Sequence, residues 1–201
     1  MIGNDIVSLA EVGESRSTNE RFLQKVLSPQ ERQWLDSQDD QEVALWTLWA
    51  LKESSYKAHY KRYRYRSFAP KSFNCTVLPH GQTACIQVAD STYQGFWHIQ
   101  DDVIHAVSHP DSLPKNQIWY NRLSQQIGVD SQRELSKSLQ HALIVEIAQR
   151  FDLPEASLSI NKLAGIPFLY QENQHLPIDL SLSHHGRWGG FAYLSATATC
   201  P

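Results

Sequence analysis

Apolar and polar positions recur with different periods along the chain, and the changes of period divide it into elements. Residues 2–8 (Ile-Gly-Asn-Asp-Ile-Val-Ser) predict a short strand that carries an acid, Asp5, between Ile2 and Ile6–Val7. Ser28-Pro29-Gln30-Glu31 is a helix start: Ser28 caps, Pro29 suits the first turn, and Glu31 closes a capping box. After the polar stretch Asp36–Gln41, the residues Leu45, Leu48, Trp49 and Tyr56 follow helical spacing without Gly or Pro, so a long helix is expected from about Gln41 to Lys61. From Ser67 to His109 the pattern turns β-rich. Phe73–Leu78, Thr83–Ala89, Gly95–Ile99 and Val103–Ser108 read as strands, the first two joined through Pro79-His80-Gly81. His109–Pro114, with two prolines, is the best internal boundary. Beyond it a helix is expected from Pro114 to Ile127, ending at Gly128. A second helix is capped by Ser131 with Glu134 three residues on, and places Leu135, Leu139, Leu143 and Ile147 on one face. Strands return near Ser157–Ile160, Ile178–Ser183 and Gly190–Ser195. Each half reads as helix then strands, and Ala106-Val107-Ser108-His109 faintly echoes Ser181-Leu182-Ser183-His184. The expected fold is α+β, with two similar lobes.

Composition narrows the class. The 201 residues suit one domain or two small lobes sharing a core. Six Trp, eight Tyr and seven Phe within a chain that is 41% hydrophobic exclude disorder. No apolar run approaches the ~18 residues that span a bilayer, so no membrane partner is expected. The opening Met-Ile-Gly-Asn-Asp lacks the basic-then-apolar block of a signal peptide. Cys75, Cys85 and Cys200 share no metal-type spacing, which fits free thiols in a reducing cytoplasm. The formal net charge of −3 conceals an asymmetry: residues 52–71 hold Lys52, Lys57, Lys61, Arg62, Arg64, Arg66 and Lys71 against one acid, Glu53. Such a strip fits an anionic partner, or a helix end whose cations offset its dipole.

Glu53 is the odd member of that strip. On a helix it shares a face with Trp46, Trp49, Tyr56 and Tyr60, where a carboxylate is costly unless paired or bound to a metal. Its plainer role is an i, i+4 pair with Lys57. Asp5 is a second isolated acid, and taken alone reads as a satisfied turn aspartate. Together the two could give the few oxygen ligands of a Mg²⁺ that keeps waters and meets substrate phosphates. In Ser181–Trp188, a strand-end Ser183-His184 is followed by Gly186-Arg187, which fits either an anion-binding turn or a polar surface turn. A Ser-His-Asp hydrolase is disfavoured: Gly-x-Ser-x-Gly is absent, and Ser183 adjoins His184. His105 and His109 could share a metal only on a helix, and their segment reads as strand.

These segments together resemble the 4′-phosphopantetheinyl transferase superfamily. Gly3-Asn4-Asp5-Ile6-Val7 is similar to its Gly-x-Asp-Ile-Val/Glu strand, and Phe22–Glu31 to a stretch of the holo-acyl-carrier-protein synthases. Trp49-Ala50-Leu51-Lys52-Glu53-Ser54-Ser55-Tyr56-Lys57 resembles the Trp-x-x-Lys-Glu-(Ala/Ser)-x-x-Lys signature, the most specific of the set. Ser181–Trp188 resembles the Ser-x-Ser-His-Ser-Gly-Arg-Trp segment of the larger, surfactin-type members, and Gly165-Ile166-Pro167 stands where they have Gly-Lys-Pro. The chain departs from the pattern at Val7, where two-lobed members carry a second acid, at Ile166, at His185 and at Glu146.

The resemblance implies transfer of the phosphopantetheine arm of coenzyme A to a serine of an apo acyl or peptidyl carrier protein, with release of 3′,5′-ADP. It implies Mg²⁺ on Asp5 and Glu53, with Glu53 or Lys57 taking the serine proton. Lys52 and Lys57 would hold phosphate oxygens, while Ser183, His184 and Arg187 would bind the nucleotide from the other lobe. The stretch Lys61–Lys71 would face the nucleotide and an acidic carrier protein. The motif order implies a monomeric pseudo-dimer in permuted order: a first lobe over 1–110, a second over 111–201, and one site between them. Two alternatives stand beside it. One keeps the fold as a binding module for coenzyme A or a carrier protein without catalysis. The other is nucleic-acid binding through Tyr56, Tyr60, Tyr63 and Tyr65, which the net charge of −3 and the lack of a nucleic-acid motif argue against.

Overall fold

Gly3–Ser8 forms strand β1, buried along its whole length, so both of its faces meet protein. The computed structural model describes residues 1–12, 16–79, 82–113, 117–124 and 132–195. Helices α1 (Glu20–Val26) and α2 (Pro29–Asp36) follow, and α2 begins on the expected capping box at Ser28 and Glu31. Helix α3 runs Gln41–Tyr63, capped at its start by Asp40 and ended by Arg64 in the left-handed region. Four strands complete the first sheet: β2 (Asn74–Val77), β3 (Thr83–Val88), β4 (Ser91–Gln100) and β5 (Val103–Pro110). The turn read at Pro79-His80-Gly81 reaches outside the described residues.

The second sheet starts with a correction. Ile118–Ser124, expected within a helix, is strand β6, paired antiparallel to a later strand. Its Ile-Trp-Tyr core favours a pleated surface, and its flanking Pro114 and Gly128, taken as helix ends, lie outside the described residues. Helix α4 (Gln132–Phe151) buries Leu135, Leu139, Leu143 and Ile147 as expected, while its proposed cap Ser131 lies outside the described residues. Strands β7 (Leu158–Leu163), β8 (Ile166–Gln171), β9 (Gln174–His185) and β10 (Trp188–Ser195) close the lobe. Strand β8 had no counterpart in the sequence reading.

The two sheets have one topology. Their orders are β1-β5-β4-β3-β2 and β6-β10-β9-β8-β7, so each lobe is a strand, then a helix, then a four-stranded meander that returns to the first strand. The duplication is real, but the Ser-His echo does not trace it. Ser108-His109 lies on β5 and Ser183-His184 on β9, which occupy different places in the two sheets. Three apolar clusters fill the interior: one under α3, one under α4, and a third between the sheets that joins Ile2, Phe96 and Val107 to Ile118, Ala192 and Leu194.

Strand β1 is the edge of its sheet, and β9 of the other lobe runs beside it. Backbone N–H groups of β1 that β5 does not use are taken by side chains of alternate β9 residues. Ile2 N donates to Asp179. Asn4 N donates to Ser181 Oγ at 2.9 Å, and Ser8 N donates to His185 Nδ1 at 2.9 Å. Lys61 of α3 is buried in the same seam. Its Nζ donates to Ile2 O at 2.7 Å, to Asp179 Oδ1 at 2.9 Å and to Leu180 O.

Candidate active site

Gly3 sets how closely α3 can lie against β1. A Cβ built there would stand 1.9 Å from the Ser54 carbonyl oxygen, so only glycine allows this approach. Two residues on, Asp5 Oδ1 accepts from Lys57 Nζ at 2.8 Å, and the same ammonium donates to Asn4 O at 3.0 Å. One helical turn before Lys57, Glu53 shares a cleft of about 440 Å³ with Asp5, and from the second lobe His184 and His185 line it too. Phe22, Trp46 and Trp49 form an aromatic wall, with centroids 5.8–6.2 Å apart. Burial against this wall, helped by the Asp5 charge and opposed by Lys57, pushes the Glu53 carboxyl up to about 7. Burial, then Lys162 and Lys57, lowers His184 below its ordinary value.

Asp5, Glu53 and His184, far apart in sequence and expected to share a site, line one cleft where the lobes meet, and Lys57 adjoins it through its bond to Asp5. Three other expected residues do not. Lys52, read as a phosphate ligand, is fully buried, its Nζ donating to Glu31 Oε1 at 2.7 Å and to Pro70 O at 3.0 Å. An ammonium so enclosed has no room for a phosphate. Ser183 is buried with its Oγ accepting from Asn4 Nδ2 at 2.8 Å, away from the cleft wall. Arg187 is exposed and lies over the Trp188 ring, 5.6 Å from its centroid. The basic strip shrinks accordingly: Lys52 and Lys61 are internal and Lys57 faces Asp5, which leaves Arg62, Arg64, Arg66 and Lys71 on the surface.

The sequence reading also missed a carboxylate. Glu11, in the turn after β1, lines the cleft and packs on Gly186 so closely that a Cβ there would meet Glu11 Cδ at 2.3 Å. Gly186 has φ +56°, a left-handed conformation that favours glycine at this turn. Arg16 joins the same wall. The Gly165-Ile166-Pro167 turn lies beyond Lys57, lining a pocket of about 100 Å³ with Tyr60 and Ser181.

Among the described residues no three His, Cys, Asp or Glu side chains form a metal cage. The donor set still fits a hard cation with few protein ligands: two carboxylates face one cleft, and the charge of one disfavours ionisation of the other.

The decisive comparison concerns the first lobe. A model of the 4′-phosphopantetheinyl transferase superfamily matches residues 1–109, from β1 almost to the end of β5. The chain belongs to the 4′-phosphopantetheinyl transferase superfamily. The match spans Asp5, Glu53 and Lys57, so three of the four converging residues lie within the family segment. Members of this superfamily transfer the phosphopantetheine group, with coenzyme A as substrate. This transferase has no described helix long and apolar enough to cross a membrane. A comparison with curated proteins returned no match.

Proposed function

We propose that the chain transfers 4′-phosphopantetheine from coenzyme A to a serine of an apo acyl or peptidyl carrier protein in the cytoplasm, as a monomeric pseudo-dimer of lobes 1–110 and 111–201. The observation that carries this reading is the convergence of Asp5 and Glu53 with His184 on one cleft between the lobes, with Lys57 held beside it on Asp5. The serine oxygen forms a bond to the phosphorus that bears the pantetheine arm, the pyrophosphate P–O bond breaks, and 3′,5′-ADP leaves. Glu53 or Lys57 takes the serine proton. Lys57, positioned by Asp5 and Asn4 O, holds a phosphate oxygen, and His184 contacts the nucleotide from the opposite wall. Asp5 and Glu53 would hold Mg²⁺, which neutralises charge on the pyrophosphate when bound. The aromatic wall excludes water beside the reacting phosphorus.

The test is a mass-spectrometric assay over a panel of apo carrier proteins with coenzyme A and Mg²⁺. A phosphopantetheine mass increase is expected, and Glu53→Ala should lower the rate on the order of a thousandfold. Coenzyme A binding without transfer to any carrier would favour the binding-module reading instead.

A further inference from the structure

The lobes correspond residue by residue, not only in strand order. The β4–β5 and β9–β10 hairpins each turn with two residues between the last paired positions, Gln100 opposite Val103 and His185 opposite Trp188. Val103 in turn faces Ser8 of β1, and Trp188 faces Ser124 of β6. Three steps along, Asp5 lies opposite Ala106 and Asn121 opposite Phe191. Asn121 therefore holds in the second lobe the place that Asp5 holds in the first.

The surroundings agree. Asn121 Nδ2 donates to Glu146 Oε2 of α4 at 3.1 Å, much as Asp5 shares its cleft with Glu53 of α3. Four residues after each glutamate comes a cation, Lys57 in α3 and Arg150 in α4. The bond from Asn4 to Ser183 has its counterpart in Tyr120 and His98, whose OH and Nε2 are 2.5 Å apart. A cavity of about 220 Å³ lies at this equivalent place, lined in part by His98, Tyr120 and Asn121.

We infer that the chain carries a second, disarmed copy of its own catalytic cleft, which Asn121 closes to divalent cations. An amide offers one neutral oxygen where Asp5 offers a charged pair, and its N–H₂ spends its hydrogen bond on Glu146. Glu146 Oε1 is meanwhile occupied by the Tyr193 hydroxyl at 2.9 Å, which accepts from Arg150 Nε at 2.7 Å. Atoms that face substrate in the first cleft are, in the second, ties between α4 and its sheet. The inference rests on Asp5 and Glu53 holding a cation.

The test is Mn²⁺ binding to the full chain, by calorimetry and electron paramagnetic resonance. Asn121 is exposed and Asp is isosteric with it, so Asn121→Asp should fold, as its melting curve will show. Wild type is expected to bind one Mn²⁺. Asn121→Asp should bind a second, at a place that holds none in wild type, and Asn121→Asp with Asp5→Ala should keep only that new site. Adding Arg150→Lys, which completes the trio of the first cleft, should give the same count. One Mn²⁺ in Asn121→Asp and in Asn121→Asp/Arg150→Lys, as in wild type, overturns the inference, as does a second Mn²⁺ in wild type. No Mn²⁺ in wild type with one in Asn121→Asp/Asp5→Ala would overturn the cation reading of the first cleft and leave the disarmed copy standing.

Discussion

The two lobes share ten strands of common topology yet differ in what lies between the first strand and the helix. In the first lobe residues 9–40 carry α1 and α2, which bring Glu31 to Lys52 and supply Phe22 to the cleft. In the second, β6 ends at Ser124 and α4 begins at Gln132, so no such insertion fits. The strands differ as well. Gly3 lets α3 descend onto β1, whereas its equivalent, Trp119, packs edge-on against Phe151 and holds α4 away. One strand order thus carries an aromatic wall and a glycine-permitted close approach in the first lobe and neither in the second.

The insertion can be broken first. Removing the Glu31 carboxylate strands the Lys52 ammonium in a dry site, both groups being almost wholly buried. Glu31→Ala should lower stability by about 3–5 kcal/mol in denaturant unfolding. An effect below 1 kcal/mol would show that the insertion does not anchor α3.

Next comes the close approach. Gly3→Ala drives a methyl into the Ser54 carbonyl and should cost about 1–3 kcal/mol, with transfer activity falling more than stability because α3 carries Glu53 and Lys57. Trp119→Phe at the equivalent place should cost less than about 1.5 kcal/mol and leave activity unchanged. Equal effects on the two lobes would dissolve the contrast.

The smallest effect is one of pH. Proton and cation compete for Glu53, whose carboxyl is raised to about 7 by burial and then by Asp5. Mg²⁺ affinity measured by calorimetry should therefore fall as pH drops below about 7 and level off above it. Without the cation the sign reverses for folding. The raised value favours the protonated folded chain, so Glu53's contribution is full below its ordinary value of 4.5 and is lost as pH rises through about 7. Glu53→Gln should flatten that part of the melting-temperature profile.

Much of the scaffold was legible because it is local. The short apolar run of β1, the capping box at Ser28 and the buried stripe of α4 depend on neighbours within a few residues. What the sequence misplaced depends on distant partners. Lys52 and Lys61 read as surface cations because Glu31 and Asp179, which face them, lie 21 and 118 residues away. Strand β6 was read as a helix because Pro114 and Gly128 resemble helix ends, and only β10 beside it makes it a strand. Strand β8 carries Pro167 inside it, which hides the alternation. Glu11 has no motif around it, and only the turn at Gly186 from the other lobe gives it a neighbour.

The β1–β9 seam bears on how the protein avoids sticking to itself. An open strand edge is a template on which a foreign chain can stack, and β1 would be one if the second lobe were absent. Asp179, Ser181 and His185 occupy its donors with side chains in place of a neighbouring backbone. The sheet therefore ends at β1 instead of extending, and the second lobe guards that edge against strand exchange while the two stay in one chain.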